Sequence, residues 1–232
     1  MFRFKQFSLE DNRCAMKVGT DAVLVGAWVN VEGASRILDV GTGCGIIALM
    51  LAQRTANDVM IEGIEVEPTD AEQAQENVNN SPWANRMHIH SVALQDFQSL
   101  AQFDLIVSNP PYFINSQLPP TPHRAKARHT HSLSFEELIT HSLRLLNSNG
   151  RLAIILPFEE GNLFQSLAEQ HGLFATSRLA FYSRQGKPQE RWLLEFSKVK
   201  LPMKEEQLIL HGEGEAWSED YQNLTRSFYL KL

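Results

Sequence analysis

Five short apolar runs, separated by stretches with helical spacing, constrain this chain most. They are R-I-L-D-V (Arg36 to Val40), V-M-I-E-G-I-E (Val59 to Glu65), M-H-I-H-S-V (Met87 to Val92), F-D-L-I-V (Phe103 to Val107) and R-L-A-I-I-L (Arg151 to Leu156). Their aliphatic and β-branched content reads as buried strands. Between them, Thr69 with Glu72 and Ser134 with Glu137 have capping-box spacing, and Gly150 and Gly172 stand where helix C-caps belong. Strand and helix alternating in this way imply right-handed parallel crossovers with helices on both faces of one sheet. L-F-A-T-S-R-L-A-F-Y-S and R-W-L-L-E-F-S flank the turn R-Q-G-K-P, and their close spacing predicts an antiparallel hairpin at one edge. The expected fold is α/β and doubly wound, with a mostly parallel, seven-stranded sheet.

A length of 232 residues suits a single domain. Residues 1–30 would form a lead-in ending in the helical A-V-L-V-G-A-W-V, residues 31–200 the core, and residues 201–232 a C-terminal extension. No stretch has the length of apolar sequence needed to span a bilayer, and the start, M-F-R-F-K-Q-F, lacks the apolar centre of a secretion signal. A cytoplasmic location is the expectation. Cys14 and Cys44 form no disulfide or metal pattern.

The net charge of -6 argues against general adhesion to polyanions, but the charge is uneven along the chain. Acids dominate from Arg54 to Asp104; bases dominate from Arg178 to Lys204. The first segment would repel phosphate, and the second could attract it.

In an open α/β sheet, ligands bind beyond the carboxyl ends of the strands, near the reversal of strand order. The first strand runs into D-V-G-T-G-C-G (Asp39 to Gly45) ahead of a helical segment. Gly41, Gly43 and Gly45 can bring backbone and its N-H groups close to a ligand, although such a loop can also be a mere tight turn. A dinucleotide fingerprint starting at Gly41 would require glycine at position 46, where Ile46 stands. Asp39 would oppose a pyrophosphate but suits an ammonium. S-adenosylmethionine, which has an ammonium, a sulfonium and no phosphate, satisfies both constraints. Glu65 ends the second strand, where a carboxylate can accept from a ribose diol, or else be one more solvated acid. Asp96, just past the third strand, could take the adenine amino group or cap a turn.

The fourth strand is followed by N-P-P-Y (Asn109 to Tyr112). Two prolines stop both sheet and helix and make a rigid loop. An exocyclic amino nitrogen is a weak nucleophile because its lone pair is delocalised. Hydrogen bonds from its two N-H groups to the Asn109 side-chain oxygen and the Pro110 carbonyl would pull it towards tetrahedral geometry, while Tyr112 offers a stacking face. The bland alternative is a turn that closes a strand.

Taken in order, D-V-G-T-G-C-G, Glu65, Asp96 and N-P-P-Y resemble the amino-methyltransferase branch of the Rossmann-like methyltransferases over about residues 36 to 160. With K-Q-F, R-C-A-M-K-V-G-T-D, N-P-P-Y-F and A-R-H-T, the chain more closely resembles the bacterial tRNA1(Val) adenine-37 N6-methyltransferases over nearly its whole length. That resemblance implies transfer of a methyl from S-adenosylmethionine to the adenine beside the anticodon of tRNA1(Val). It implies that Asn109, Pro110 and Tyr112 hold the amine, and that Gly41, Gly43, Gly45, Glu65 and Asp96 hold the cofactor. Lys17 and Thr20 would approach the methionine end, although Lys17 could equally be an exposed lysine beside a helix.

H-R-A-K-A-R-H-T-H (His123 to His131) concentrates cations near the tetrapeptide, and phosphate contact by Arg124, Lys126, Arg128 and His129 competes with a solvated loop. Phe113 to His131 is expected to be disordered before RNA arrives. Arg184, Lys187 and Arg191 around the hairpin could extend the RNA surface. His88 and His90 alternate on a strand and His129 and His131 lie two apart, but no carboxylate or cysteine completes a ligand set, so no metal is expected. Within the same chemistry, glutamine N5-methylation of a protein such as a release factor, or guanine-N2 methylation of ribosomal RNA, would use the same tetrapeptide. A non-catalytic RNA-binding protein would not need an amine-polarising pair.

Overall fold

The computed structural model describes residues 1–111 and 133–231. Within them the chain runs through β1 (Phe2–Arg3), β2 (Ser8–Leu9), α1 (Thr20–Trp28), β3 (Arg36–Val40), α2 (Ile46–Arg54), β4 (Met60–Glu65), α3 (Pro68–Asn79), β5 (Met87–Ser91) and β6 (Phe103–Ser108). It continues with α4 (Phe135–Leu145), β7 (Leu146–Pro157), α5 (Phe158–Gln170), β8 (Phe174–Arg184), β9 (Arg191–Ser197), β10 (Lys204–His211) and α6 (Glu219–Thr225).

The main sheet has the order β10-β8-β9-β7-β6-β3-β4-β5. The core strands pair in parallel, and only β9 runs against its neighbours β7 and β8. The fold class is therefore the one expected, with two differences of detail. The sheet has eight strands, because β10 pairs in parallel with β8, and the antiparallel hairpin consequently lies one strand in from the edge. β10 begins Lys204-Glu205-Glu206-Gln207, and these exposed polar residues are tolerated because an edge strand needs apolar contact on little of its length. A second sheet, the small antiparallel pair β1-β2, precedes it.

Alternation along the strands divides the core between the two faces. Ile37, Leu105, Ala153 and Leu193 pack with Leu24, Met50 and Ala74 of α1, α2 and α3 on one face. Leu38, Ile106, Leu152 and Phe196 pack with Leu138 and Phe164 of α4 and α5 on the other. Ser134 caps α4 as its spacing requires: its hydroxyl accepts the Glu137 N-H at 3.2 Å and the Glu137 carboxylate accepts the Ser134 N-H at 2.8 Å. Thr69 and Glu72 do not form the second box. Pro68 occupies the first helical turn of α3, with Glu67 at the cap, so Thr69 already lies inside the helix. Gly172, at φ 83°, follows α5 as expected. Gly150 instead lies within β7, where a Cβ would sit 2.8 Å from the Phe103 carbonyl oxygen and leaves glycine as the residue that fits. Among the described residues no helix is long and apolar enough to cross a membrane.

Candidate functional site

Parallel pairing brings the carboxyl ends of β3, β4, β5 and β6 to one rim. The chain winds from β3 outwards to β4 and β5, then crosses to β6 on the other side of β3. The strand order therefore reverses between β3 and β6, where Val40 pairs with Ser108. The glycine loop leaves one of these strands and Asn109 the other.

Gly41, Gly43 and Gly45 take φ of 70°, 56° and 85°, a region that a residue with a Cβ enters at a cost. Beside Gly41 and Gly43 an added Cβ would meet nothing within 4 Å, so the loop has open space next to it. Its N-H groups are used differently from the sequence expectation. Gly41 and Thr42 both donate to the Ile64 carbonyl at 3.0 Å, Gly45 donates to the Thr42 carbonyl at 2.8 Å, and Gly43 donates to Glu65 Oε2 at 2.9 Å. These bonds hold the loop's own shape.

Asp39 is fully buried beneath the loop. Its Oδ2 accepts from the Thr42 hydroxyl at 2.6 Å and from the Ala48 N-H at 3.1 Å, tying the loop to the first turn of α2. Its Oδ1 is buried with no hydrogen-bond partner among the described residues. Burial pushes the carboxyl up to about 7 against the lowering effect of those two bonds. An unpartnered buried oxygen at this position fits a ligand that carries a cationic nitrogen. Glu65 is also raised by burial, opposed by N-H groups of Glu67 and Gly43 that favour its ionised form. Its Oε1 accepts the Glu67 N-H at 3.1 Å. Asp96 lies exposed on the turn after β5, on the rim that Glu65 shares.

Lys17 stands exposed on the loop before α1. Its ammonium donates to the carbonyls of Asp11 at 2.6 Å, Asn12 at 3.2 Å and Cys14 at 3.1 Å, and so closes the loop of residues 11–18 upon itself. Thr20 is exposed at the start of α1. The same N-terminal segment is bound to α3 by three buried polar residues that were not singled out from sequence. Asn77 accepts the Glu10 N-H at 2.8 Å and donates to the carbonyls of Glu10 at 2.7 Å and Cys44 at 2.8 Å. Asp70 accepts the Ala15 N-H at 3.2 Å, and Gln73 accepts from Arg13 Nε at 3.0 Å. Asp70, Gln73 and Asn77 recur at helical spacing on the buried side of α3, which is the one signal that could have revealed them. Burial pushes the thiols of Cys14 and Cys44 up to about 11 and about 12, which makes both passive at neutral pH.

Asn109 is half-buried, Pro110 buried and Pro111 exposed at the end of β6. Tyr112 lies outside the described residues, as do Arg124, Lys126, Arg128, His129, His131 and the whole segment from Phe113. Arg191 and Arg184 reach the same rim, because β9 starts, and β8 ends, beside the carboxyl end of β7. Arg191 Nε donates to Asp21 at 2.9 Å, and Arg184 pairs with Glu215. Both guanidinium groups are thus tied to this chain's own acids, whereas Lys187 is exposed at the turn between them. Among the described residues no group of three histidine, cysteine or acidic residues could hold a metal ion.

The model of the methyltransferase small domain family matches residues 16–161. A tRNA1(Val) (adenine(37)-N6)-methyltransferase of Bacteroides fragilis is 42% identical over 237 residues, covering 100% of this chain and 98% of its own. Its counterpart from Trichodesmium erythraeum is 43% identical over 233 residues, covering 99% and 98%. The chain belongs to the tRNA1(Val) (adenine(37)-N6)-methyltransferase family. Among solved structures, one described as a predicted O-methyltransferase from Agrobacterium tumefaciens superposes with a TM-score of 0.70 at 17% identity, covering 90% of this chain and 96% of that one. That likeness extends to the fold.

Proposed function

We propose that this chain methylates N6 of adenine 37 in tRNA1(Val), using S-adenosylmethionine. The observation that carries the reading is the placement of Asn109 and Pro110 at the end of β6, next to the strand whose end holds the glycine loop. Membership of the family, over the full length of its relatives, supplies the substrate.

When bound, the cofactor supplies an electrophilic methyl on a sulfonium. The residues of the chain divide the remaining work. Glu65 keeps lone pairs available to a ribose diol beyond those that accept the Gly43 and Glu67 N-H groups. Asp39, buried beneath the loop, fixes Thr42 and the first turn of α2 and sets the charge under the methionine end. Asn109 Oδ1 and the Pro110 carbonyl accept the two amino protons of the target base and direct its nitrogen lone pair towards the methyl, the proline keeping that acceptor in place. Tyr112, by its position in the motif, stacks on the extruded base. The chemistry requires no strong base: the amine loses its proton after the methyl has arrived. Action on tRNA is consistent with a cytoplasmic location.

The test is mass spectrometry of nucleosides from unmodified tRNA1(Val) transcript incubated with the protein and methyl-labelled S-adenosylmethionine, with Asn109→Ala in parallel. Labelled N6-methyladenosine at position 37 that disappears in the variant supports the reading. An unlabelled transcript alongside labelled ribosomal RNA or a labelled release factor would overturn it.

A further inference from the structure

Ser108 is the last residue of β6, fully buried and next to Asn109. Its hydroxyl donates to the Val40 carbonyl at 2.9 Å. Val40 is the last residue of β3 and immediately precedes Gly41. One side-chain hydrogen bond therefore joins the root of the cofactor loop to the root of the amine-holding tetrapeptide, across the switch point. On the opposite side, β4 holds the loop through the Ile64 carbonyl, which accepts the Gly41 and Thr42 N-H groups, and through the Glu65 carboxylate, which accepts the Gly43 N-H.

A hydroxyl here is not explained by burial, since alanine or valine would suit a dry strand end better. Its effect is geometric. Methyl transfer needs the acceptor nitrogen and donor carbon at near-contact and in line, and a displacement of about 1 Å can cost about 100-fold in rate. We propose that Ser108 is a positioning residue for methyl transfer: its bond to Val40 sets the separation between the Asn109-Pro110 amine site and the glycine loop. It touches neither substrate nor cofactor and acts through the two segments it joins. The inference rests on the methyltransferase reading given above.

The experiment measures steady-state kinetics on the tRNA transcript, together with thermal unfolding, for wild type and for Ser108→Ala, Ser108→Thr and Ser108→Val. Threonine and valine have nearly the same shape and differ by the hydroxyl. The expected result is a kcat lowered about 10-fold or more in the alanine and valine variants, with the KM for S-adenosylmethionine within about 3-fold of wild type and the threonine variant restored to within about 3-fold. An unchanged kcat in Ser108→Ala overturns the inference, and so does a threonine variant no better than valine. If both hydroxyl-free variants fail to fold, Ser108 is a stability residue and the inference falls. A wild-type protein without turnover refutes the parent reading as well, and is distinguishable because it appears before any substitution.

Discussion

The Glu65 carboxylate accepts the Gly43 N-H at 2.9 Å, so the acid that ends β4 helps to shape the glycine loop it faces. Its second oxygen holds the Glu67 N-H at the start of α3. Glu65→Gln replaces one of these acceptors by an NH2 group that faces a donor. Hydrogen bonds to a charged partner are worth about 1.5 to 3 kcal/mol, so affinity for S-adenosylhomocysteine should fall by about 10- to 100-fold. Stability should change little, because the substitution also removes a buried charge. Calorimetry and thermal unfolding measure both quantities, and equal affinity in the two proteins would refute the assignment.

Gly63 lies within β4 directly beneath the loop. A Cβ there would sit 2.7 Å from Ile89 Cδ1 and 3.1 Å from Thr42 Oγ1, the hydroxyl that bonds Asp39. Gly63→Ala should destabilise the fold by about 1 to 3 kcal/mol and weaken cofactor binding as Thr42 is displaced. Gly150→Ala is the control. Its Cβ would clash with the Phe103 carbonyl, at the start of β6 and far from the rim, so it should cost stability without a specific loss of cofactor affinity. Urea unfolding and calorimetry on both variants decide the matter. Similar affinity losses in the two would remove the link between Gly63 and the loop.

The doubly wound core was legible because its strands are buried on both faces, and burial on both faces leaves continuous apolar runs in the sequence. β10 was not legible, because an edge strand that begins with Lys204, Glu205 and Glu206 has the composition of a solvated segment. The placement of the glycine loop, Glu65 and the Asn109-Pro110 pair at one rim was legible, because each directly follows or ends a strand whose apolar run marks it. It was not legible where a residue's partner is backbone. Lys17 spends its ammonium on three carbonyls, and Asn77 joins Glu10 to Cys44, yet neither partner carries any mark in the sequence. Asp70, Gln73 and Asn77 share one side of α3, but a polar residue type alone does not tell a buried side from a solvated one. Ser108 was hidden for the same reason, as the final residue of an apolar run.

Burial pushes the Asp39 carboxyl up to about 7 from an unfolded value of 3.8. Between those values the folded chain holds a proton that the unfolded chain has released. The stability this group contributes is therefore complete below about pH 4 and is lost as pH rises to about 7. Asp39→Asn lacks that titration. The unfolding free energy of wild type minus that of the variant should fall between about pH 4 and about pH 7 and then level off. Urea unfolding at several pH values across this window provides the measurement. A difference independent of pH would mean that Asp39 is ionised in the folded protein throughout.

Arg191 and Lys187 lie on the same rim but should respond differently to truncation. Arg191 is committed to Asp21 at 2.9 Å and joins β9 to the first turn of α1, so Arg191→Ala leaves a half-buried carboxylate without that partner. Its main effect should be a stability loss of about 1 to 2 kcal/mol, partly recovered when Asp21→Asn is added. Lys187 stands exposed at the turn, where a phosphate can reach it. Lys187→Ala should leave stability unchanged and lower the slope of log affinity for tRNA against log salt by roughly 0.7 to 0.9, the contribution of one phosphate contact. Filter binding across a salt series separates the two residues. An unchanged slope in Lys187→Ala would take this turn off the RNA surface, and a lowered slope in Arg191→Ala would mean that the Asp21 pair opens to admit the nucleic acid.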